Sequence, residues 1–276
     1  VAVCLTDLVG ALGAFSGRLP PAPPAGRFAR PPVPDDVAAA LETVPLAVRR
    51  QVLDPLERDA PPPAVGRPRP VRLPAVDGSA AVARQVDAST CGSAVLAMLL
   101  LAGDPARALE LARWPGGPAA GFAALQRAVK VRTNRGPLGI PIWPDALGTL
   151  PWAAARVARY GTVRYAHRVV GGRAAAGVLA AAVTAARSGV PVPLFSGGDL
   201  DRGMAAAVPR HVVLLTAVGD RTARLYEPSS GFLHAVPDEM LLAPHVAEPG
   251  SRAALTAALG GWPHVVWVLL PRDARG

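Results

Sequence analysis

The sequence predicts an α+β domain in which a helical half packs on a mostly antiparallel sheet. Three observations carry this. Helix-length apolar segments fill the middle of the chain, and short runs rich in Val, Leu and Phe fill its last third. The two populations are segregated rather than alternating, which argues against a parallel βαβ array. The chain of 276 residues is long enough to bury one sizeable core, and with 51% hydrophobic and 18% charged residues its composition is globular.

Residues 1–75 read as a Pro/Arg-rich arm ahead of a main domain at 76–276. Residues 1–18 are apolar enough for a short helix, and residues 19–34 are proline-rich and extended. Asp35 or Asp36 is placed to cap a helix running to about residue 59, interrupted by Pro45 and Pro55. A second proline–arginine stretch covers 61–74. The arm either packs on the main domain or is a detached linker, and composition leaves both open.

In the main domain, Ser89 or Thr90 is placed to cap a helix over 91–102, which Gly103 ends ahead of Asp104-Pro105. Apolar nearly all round, this helix belongs at the centre of the core. Further helices are expected at 104–113, 121–130, 151–159 and 174–187, with a loop holding Gly136, Pro137, Pro141 and Pro144 between the second and third. Strands are expected at 190–196, 211–218, 221–227, 232–236 and 264–270. Gly219-Asp220 supplies a hairpin turn.

Composition also excludes function classes. The net charge is +9, yet nearly all of it is arginine, Lys130 being the sole lysine, and the arginines form no dense run. Aromatic residues make up 5% of the chain, so no base-stacking platform is visible and no nucleic-acid partner is expected. No apolar run spans a bilayer, so no integral membrane segment is expected. Residues 1–15 contain Asp7 and lack a basic lead, which makes a poor secretory signal; the cytoplasm is the expected compartment, although a start on Val leaves room for a signal peptide further upstream. Two cysteines permit one disulfide and no zinc site of their own. No cofactor motif is present, and nothing in the sequence speaks to oligomeric state.

Chemistry concentrates at Cys91. A cysteine at a helix N-terminus meets the positive end of the macrodipole and unpaired backbone N–H groups, which favour the thiolate. Gly92 lets a substrate approach the backbone. Gln85, six residues earlier, has an amide that can join the Cys91 N–H in holding an oxyanion. Cys4 has no polar context and is assigned no role. Of the five histidines, His211 is the best base: it opens an apolar strand after a loop (196–210) containing Gly197, Gly198 and Gly203, suited to cover a site. A turn at Gly219-Asp220 puts His211 opposite Pro228, with Glu227 beside it to fix the imidazole tautomer. His167, His234, His245 and His264 show no such pattern and read as surface or core residues.

These residues match a known family. Gln85-Val-Asp-Ala-Ser-Thr-Cys91-Gly-Ser-Ala resembles the Gln…Cys-Gly-Pro/Ala-Ala segment of papain-like cysteine peptidases, and the bacterial peptidases that remove double-glycine leaders are the closest branch. Gly189-Val-Pro-Val-Pro-Leu resembles that branch's G-x-P-V strand. His211-Val-Val-Leu-Leu and Leu225-Tyr-Glu227-Pro228-Ser-Ser-Gly231 resemble its His strand and its Asp-Pro-x-x-Gly strand. The resemblance covers residues 83–103 and 188–234. It implies a papain-like fold, Cys91 as nucleophile, His211 as base, Gln85 as oxyanion donor, Glu227 in the Asp position, and a peptide or protein substrate. Glu for Asp is a departure, as is the longer stretch at 104–172. An acyltransferase or amidase using the same nucleophile, and a non-catalytic binding protein of the same fold, are the competing expectations.

Overall fold

The computed structural model describes residues 4–11, 19, 31–136, 148–202, 208–243 and 249–272. The loop expected around Pro137, Pro141 and Pro144 lies mostly outside them, as do His245 and most of residues 19–34.

The described part of the arm is packed into the protein. It supplies α1 (Leu5–Ala11), α2 (Asp35–Glu42), α3 (Leu46–Leu53), β1 (Arg69–Pro70) and β2 (Arg72–Pro74). Pro34 and Pro45, which spare the helix an unpaired N–H, stand at the cap positions of α2 and α3. Asp35 and Asp36 lie in the first turn of α2 rather than capping it, where their charge suits the dipole. Pro45 therefore begins a second helix where the sequence reading has one interrupted helix. Val37, Leu41, Val48, Val52, Leu56, Val71 and Leu73 are buried in the same apolar cluster as the central helix, so the core runs across residue 75.

Polar contacts lock this packing. The Arg58 guanidinium donates to the Tyr160 hydroxyl (2.8 Å), the Gly189 carbonyl (3.0 Å) and Asp54 (3.3 Å). Arg224 donates to the carbonyls of Glu57 and Arg58 (3.2 and 3.0 Å). A detached linker would make none of these bonds.

After β3 (Ala80–Val82), which pairs with β2, comes α4 (Cys91–Gly103). Every residue of α4 except Leu100 is buried, as its unbroken apolar sequence requires. Then follow α5 (Pro105–Ala112), capped by Asp104, α6 (Pro118–Asn134) and α7 (Pro151–Val157). Two strands come next, β4 (Arg159–Tyr160) and β5 (Val163–Val169), before α8 (Ala175–Arg187). The remainder is β6 (Val192–Gly197), β7 (His211–Gly219), β8 (Thr222–Glu227), β9 (Phe232–Pro237), α9 (Glu239–Leu242), α10 (Pro249–Ala258) and β10 (His264–Arg272).

Eight strands form one antiparallel sheet in the order β1-β9-β8-β7-β6-β10-β5-β4. The fold is thus α+β with a large antiparallel sheet, and the sheet is covered on both faces. Along β7, Val212 and Leu214 join the cluster around α4, while Val213 and Leu215 join the one beneath α8, α9 and α10. Alternation of period two between two buried faces explains why Val212, Val213, Leu214 and Leu215 are apolar without a break. No helix among the described residues is long and apolar enough to cross a membrane.

The β7–β8 turn differs from expectation. Its central residues are Asp220 and Arg221, both left-handed (φ 48° and 56°), as a two-residue hairpin of the primed type demands. Gly219 is a strand residue paired with Thr222. A bulge between Leu215 and Ala217 then shifts the register, so that Leu214 pairs with Tyr226.

Candidate functional site

Three element ends meet at the site: the first residue of α4, the first of β7 and the last of β8. The chain arrives at Cys91 through a locked turn. Asp87 accepts from the Ser89 N–H (2.7 Å) and hydroxyl (2.6 Å), and Lys130 donates to that same hydroxyl (2.6 Å). Asp87 N–H donates to the Thr90 hydroxyl, which itself donates to the Asp87 carbonyl (both 2.9 Å). Thr90 occupies the cap position, yet its hydroxyl is turned back on Asp87, so no side chain caps α4. The cap expected from Ser89 or Thr90 is therefore absent, and the first-turn N–H groups face the site without a side-chain acceptor.

The structure brings His211 and Glu227 to 2.8 Å, between the ring Nε2 and Oε1. Continuing the Leu214–Tyr226 register sets Glu227 opposite Val213, one pleat from His211 on the same face. The contact is diagonal across the ladder, within reach of a long side chain. Glu227 also accepts the Ser229 N–H (2.7 Å), the Ser230 N–H (2.8 Å) and the Ser230 hydroxyl (2.7 Å). Burial would raise its pKa, but the hydrogen bonds from His211, Ser230 and Ser229 hold the carboxyl well below the usual range. It is a buried, fully ionised acceptor.

Cys91 lies close enough to His211 to bear on the protonation of its ring. With Nε2 engaged by Glu227, Nδ1 is the nitrogen left for the sulfur. Burial works to lower the His211 pKa; hydrogen bonds to Cys91 and Glu227, and the negative charge of each, outweigh it and raise the value to about 9. The imidazolium is the favoured form at neutral pH. Cys4 is a free, buried thiol like Cys91, but it is pushed up to about 11 by burial and by Asp7 and Asp199.

Gln85 lies beside this group without facing it fully. Its backbone N–H donates to Pro228 (2.8 Å), next to Glu227. Its side-chain amide donates to the Asp87 carbonyl (2.8 Å), which commits one of two N–H donors to the turn before Cys91. The loop over 196–210 is closed at its base by Arg210 N–H to Ser196 (2.9 Å), and residues 203–207 lie outside the described set. Among the other histidines, His167 accepts from the Trp267 indole (3.3 Å), and His264 lies 3.6 Å from Asp199.

Four residues escaped the sequence reading. Buried Gln126 accepts from Val86 N–H (3.0 Å) and donates to the Arg84 carbonyl (2.9 Å), clamping the segment that carries Gln85. Ser230 anchors Glu227. Thr149 covers Gly92: a Cβ there would sit 2.7 Å from the Thr149 side chain. Gly260, left-handed at φ 71°, lies against the His211 ring, where an added Cβ would overlap Cδ2 and come within 2.6 Å of Nε2. The Gly260-Gly261 pair was a visible signal, lost because α10 ahead of it was not foreseen.

Gly260 and Gly261 provide a controlled test. Both are left-handed, so alanine at either costs about 1–2 kcal/mol of backbone strain. Only Gly260 touches His211, whereas nothing lies within 4 Å of a Cβ on Gly261. Gly260→Ala is expected to slow Cys91 alkylation by about tenfold or more through the displaced ring, and Gly261→Ala to leave it unchanged at a similar Tm. Equal rates in the two variants would remove Gly260 from the site.

Among the described residues no group of three or more His, Cys, Asp or Glu side chains is placed to hold a metal ion. Compared with models of known protein families and with curated proteins, the chain matches none.

Proposed function

We propose that the chain is a papain-like cysteine hydrolase acting on peptide substrates, with Cys91 as nucleophile, His211 as base and acid, and Glu227 as the group that orients His211. The observation that carries this reading is the buried His211–Glu227 pair at 2.8 Å beside a thiol at a helix N-terminus whose charge bears on the same imidazole.

The reaction follows from those positions. His211 Nδ1 already holds the proton of the Cys91 thiol, and Sγ bonds to the carbonyl carbon. The carbonyl oxygen becomes an oxyanion, received by the uncapped N–H groups of α4 and by the second N–H of Gln85. Collapse breaks the C–N bond while His211 returns its proton to the departing amine. Water then attacks the thioester, giving a proton to His211 and releasing the acid and the thiol. Glu227 stays ionised throughout and keeps Nε2–H donated to itself. The double-glycine leader peptidases remain the nearest resemblance for substrate, through the Gln85…Cys91-Gly92 and His211…Glu227-Pro228 segments.

Selective alkylation tests the site before any substrate is known. Iodoacetamide at neutral pH is expected to label Cys91 and spare Cys4, whose thiol is pushed up to about 11. Peptide mapping reads the two sites in one sample. Labelling of Cys91 no faster than a free thiol in solution would defeat the nucleophile assignment.

A further inference from the structure

We propose that the pocket at the β10–β5–β4 edge of the sheet is a binding site for a polyphosphate group. It is a cavity of about 430 Å³ into which Arg156 of α7, Arg159 of β4, Arg164 and Arg168 of β5, and Arg272 of β10 converge, and no carboxylate of the described residues lines it. The cross-strand register makes this more than a solvated basic face. Arg164 is paired directly with Arg159 on one side and with Arg272 on the other. Like charges directly opposite in a ladder destabilise a sheet. Here three stand in a row across adjacent strands, and a bound polyanion is what turns that cost into affinity.

The electrostatics agree. Burial, then the neighbouring Arg164, Arg132 and Arg272, lower the pKa of Arg159; burial and Arg272 do the same for Arg168. Arg156, Arg159 and Arg168 each spend one nitrogen on backbone carbonyls, and the remaining N–H groups of the five guanidiniums suit phosphate oxygens. Three neighbouring strands span roughly 10 Å, two interstrand spacings, which suits linked phosphates rather than a single one. Trp152 is exposed at the rim, its ring 6.5 Å from that of Trp267, and provides a flat apolar wall. The polyphosphate has two sources, a free inorganic chain or the tail of a nucleotide whose base lies on Trp152.

Calorimetric titration of the full chain with tripolyphosphate, ATP and single-stranded DNA tests this independently of the Cys91 chemistry. Saturable one-to-one binding of tripolyphosphate is expected. Arg164→Gln, at an exposed position, should weaken it by about tenfold or more, the loss of one charge-assisted pair, and should raise the Tm of the free protein by removing the opposed charges. Arg173→Gln, exposed and outside this pocket, should change neither. ATP binding tighter than tripolyphosphate, with the surplus lost in Trp152→Ala, identifies the source as a nucleotide; equal binding identifies a free chain. Absence of tripolyphosphate binding, equal effects of the two arginine variants, or binding of DNA alone would each overturn the proposal.

Discussion

Cys91→Ala is expected to abolish hydrolysis of a double-glycine leader peptide, with a loss of about 10⁵-fold or more, the scale seen when a covalent nucleophile is removed from an assembled relay. The loss is this large because the remaining parts have nothing to act on. Uncapped N–H groups can hold an oxyanion only after an atom has attacked the carbonyl, and His211 has no tetrahedral adduct to which it could pass its proton. The fold should survive: Cys91 is small, and alanine fills most of its volume at the first residue of a helix held by nine other buried side chains. Cys4→Ala is the matched control and should retain full activity. Single-turnover assays with mass detection of a thioester on Cys91 separate the hydrolase from an acyltransferase, since an added amine would divert the acyl group only in the latter. Retained turnover in Cys91→Ala would leave the chain a binding protein of this architecture.

The parts of this molecule legible in the sequence were those fixed by local pattern. The central helix could be read because residues 91–103 are apolar on every face. The strands from β6 to β9 could be read because short β-branched runs are bounded by turn residues. β5 was missed although Val163, Tyr165 and Val169 alternate with polar neighbours, because it stands inside the helical half, where the order of elements argued for helix. His211 and Glu227 were paired from a turn placed one residue early and without the bulge. The pairing survived because a glutamate reaches diagonally. That reach also accounts for Glu in a position where the resembling family carries Asp: with Val213 directly opposite, a side chain one methylene shorter stops short of the imidazole.

Non-local assembly was illegible. Arg272 is far from Arg159 and Arg164 in sequence and adjacent to Arg164 in space, so a chain with no dense basic run nonetheless builds a dense basic pocket. The arm is a similar case. Leu56 and Leu73 look like isolated apolar residues in a proline-rich stretch, and only the folded core shows that both are fully buried.

Glu227→Ala carries the second large expectation, on stability as well as chemistry. It removes one partner of a buried charged pair and leaves the imidazolium without its counter-ion, a change that costs about 3–5 kcal/mol in comparable pairs. Glu227→Gln keeps the shape and isolates the charge. The folded carboxyl is depressed, so its stabilisation is present above the unfolded value of about 4.3 and is lost as the pH falls through the folded value. His211 is raised, so its stabilisation is present below about 6.5 and is lost as the pH rises through about 9. The Tm gap between wild type and Glu227→Gln should therefore be widest near pH 5–6 and narrow on both sides. Activity follows the same proton: wild type should keep its alkaline limb near pH 9, where the imidazolium that protonates the leaving amine disappears. In Glu227→Gln that limb should move toward the ordinary histidine range, with turnover reduced by about 10²-fold. Glu227→Asp should restore the charge without the reach and give an intermediate limb. A Tm gap independent of pH, together with an unmoved alkaline limb, would mean that Glu227 braces its own turn through Ser229 and Ser230 and does not act through His211.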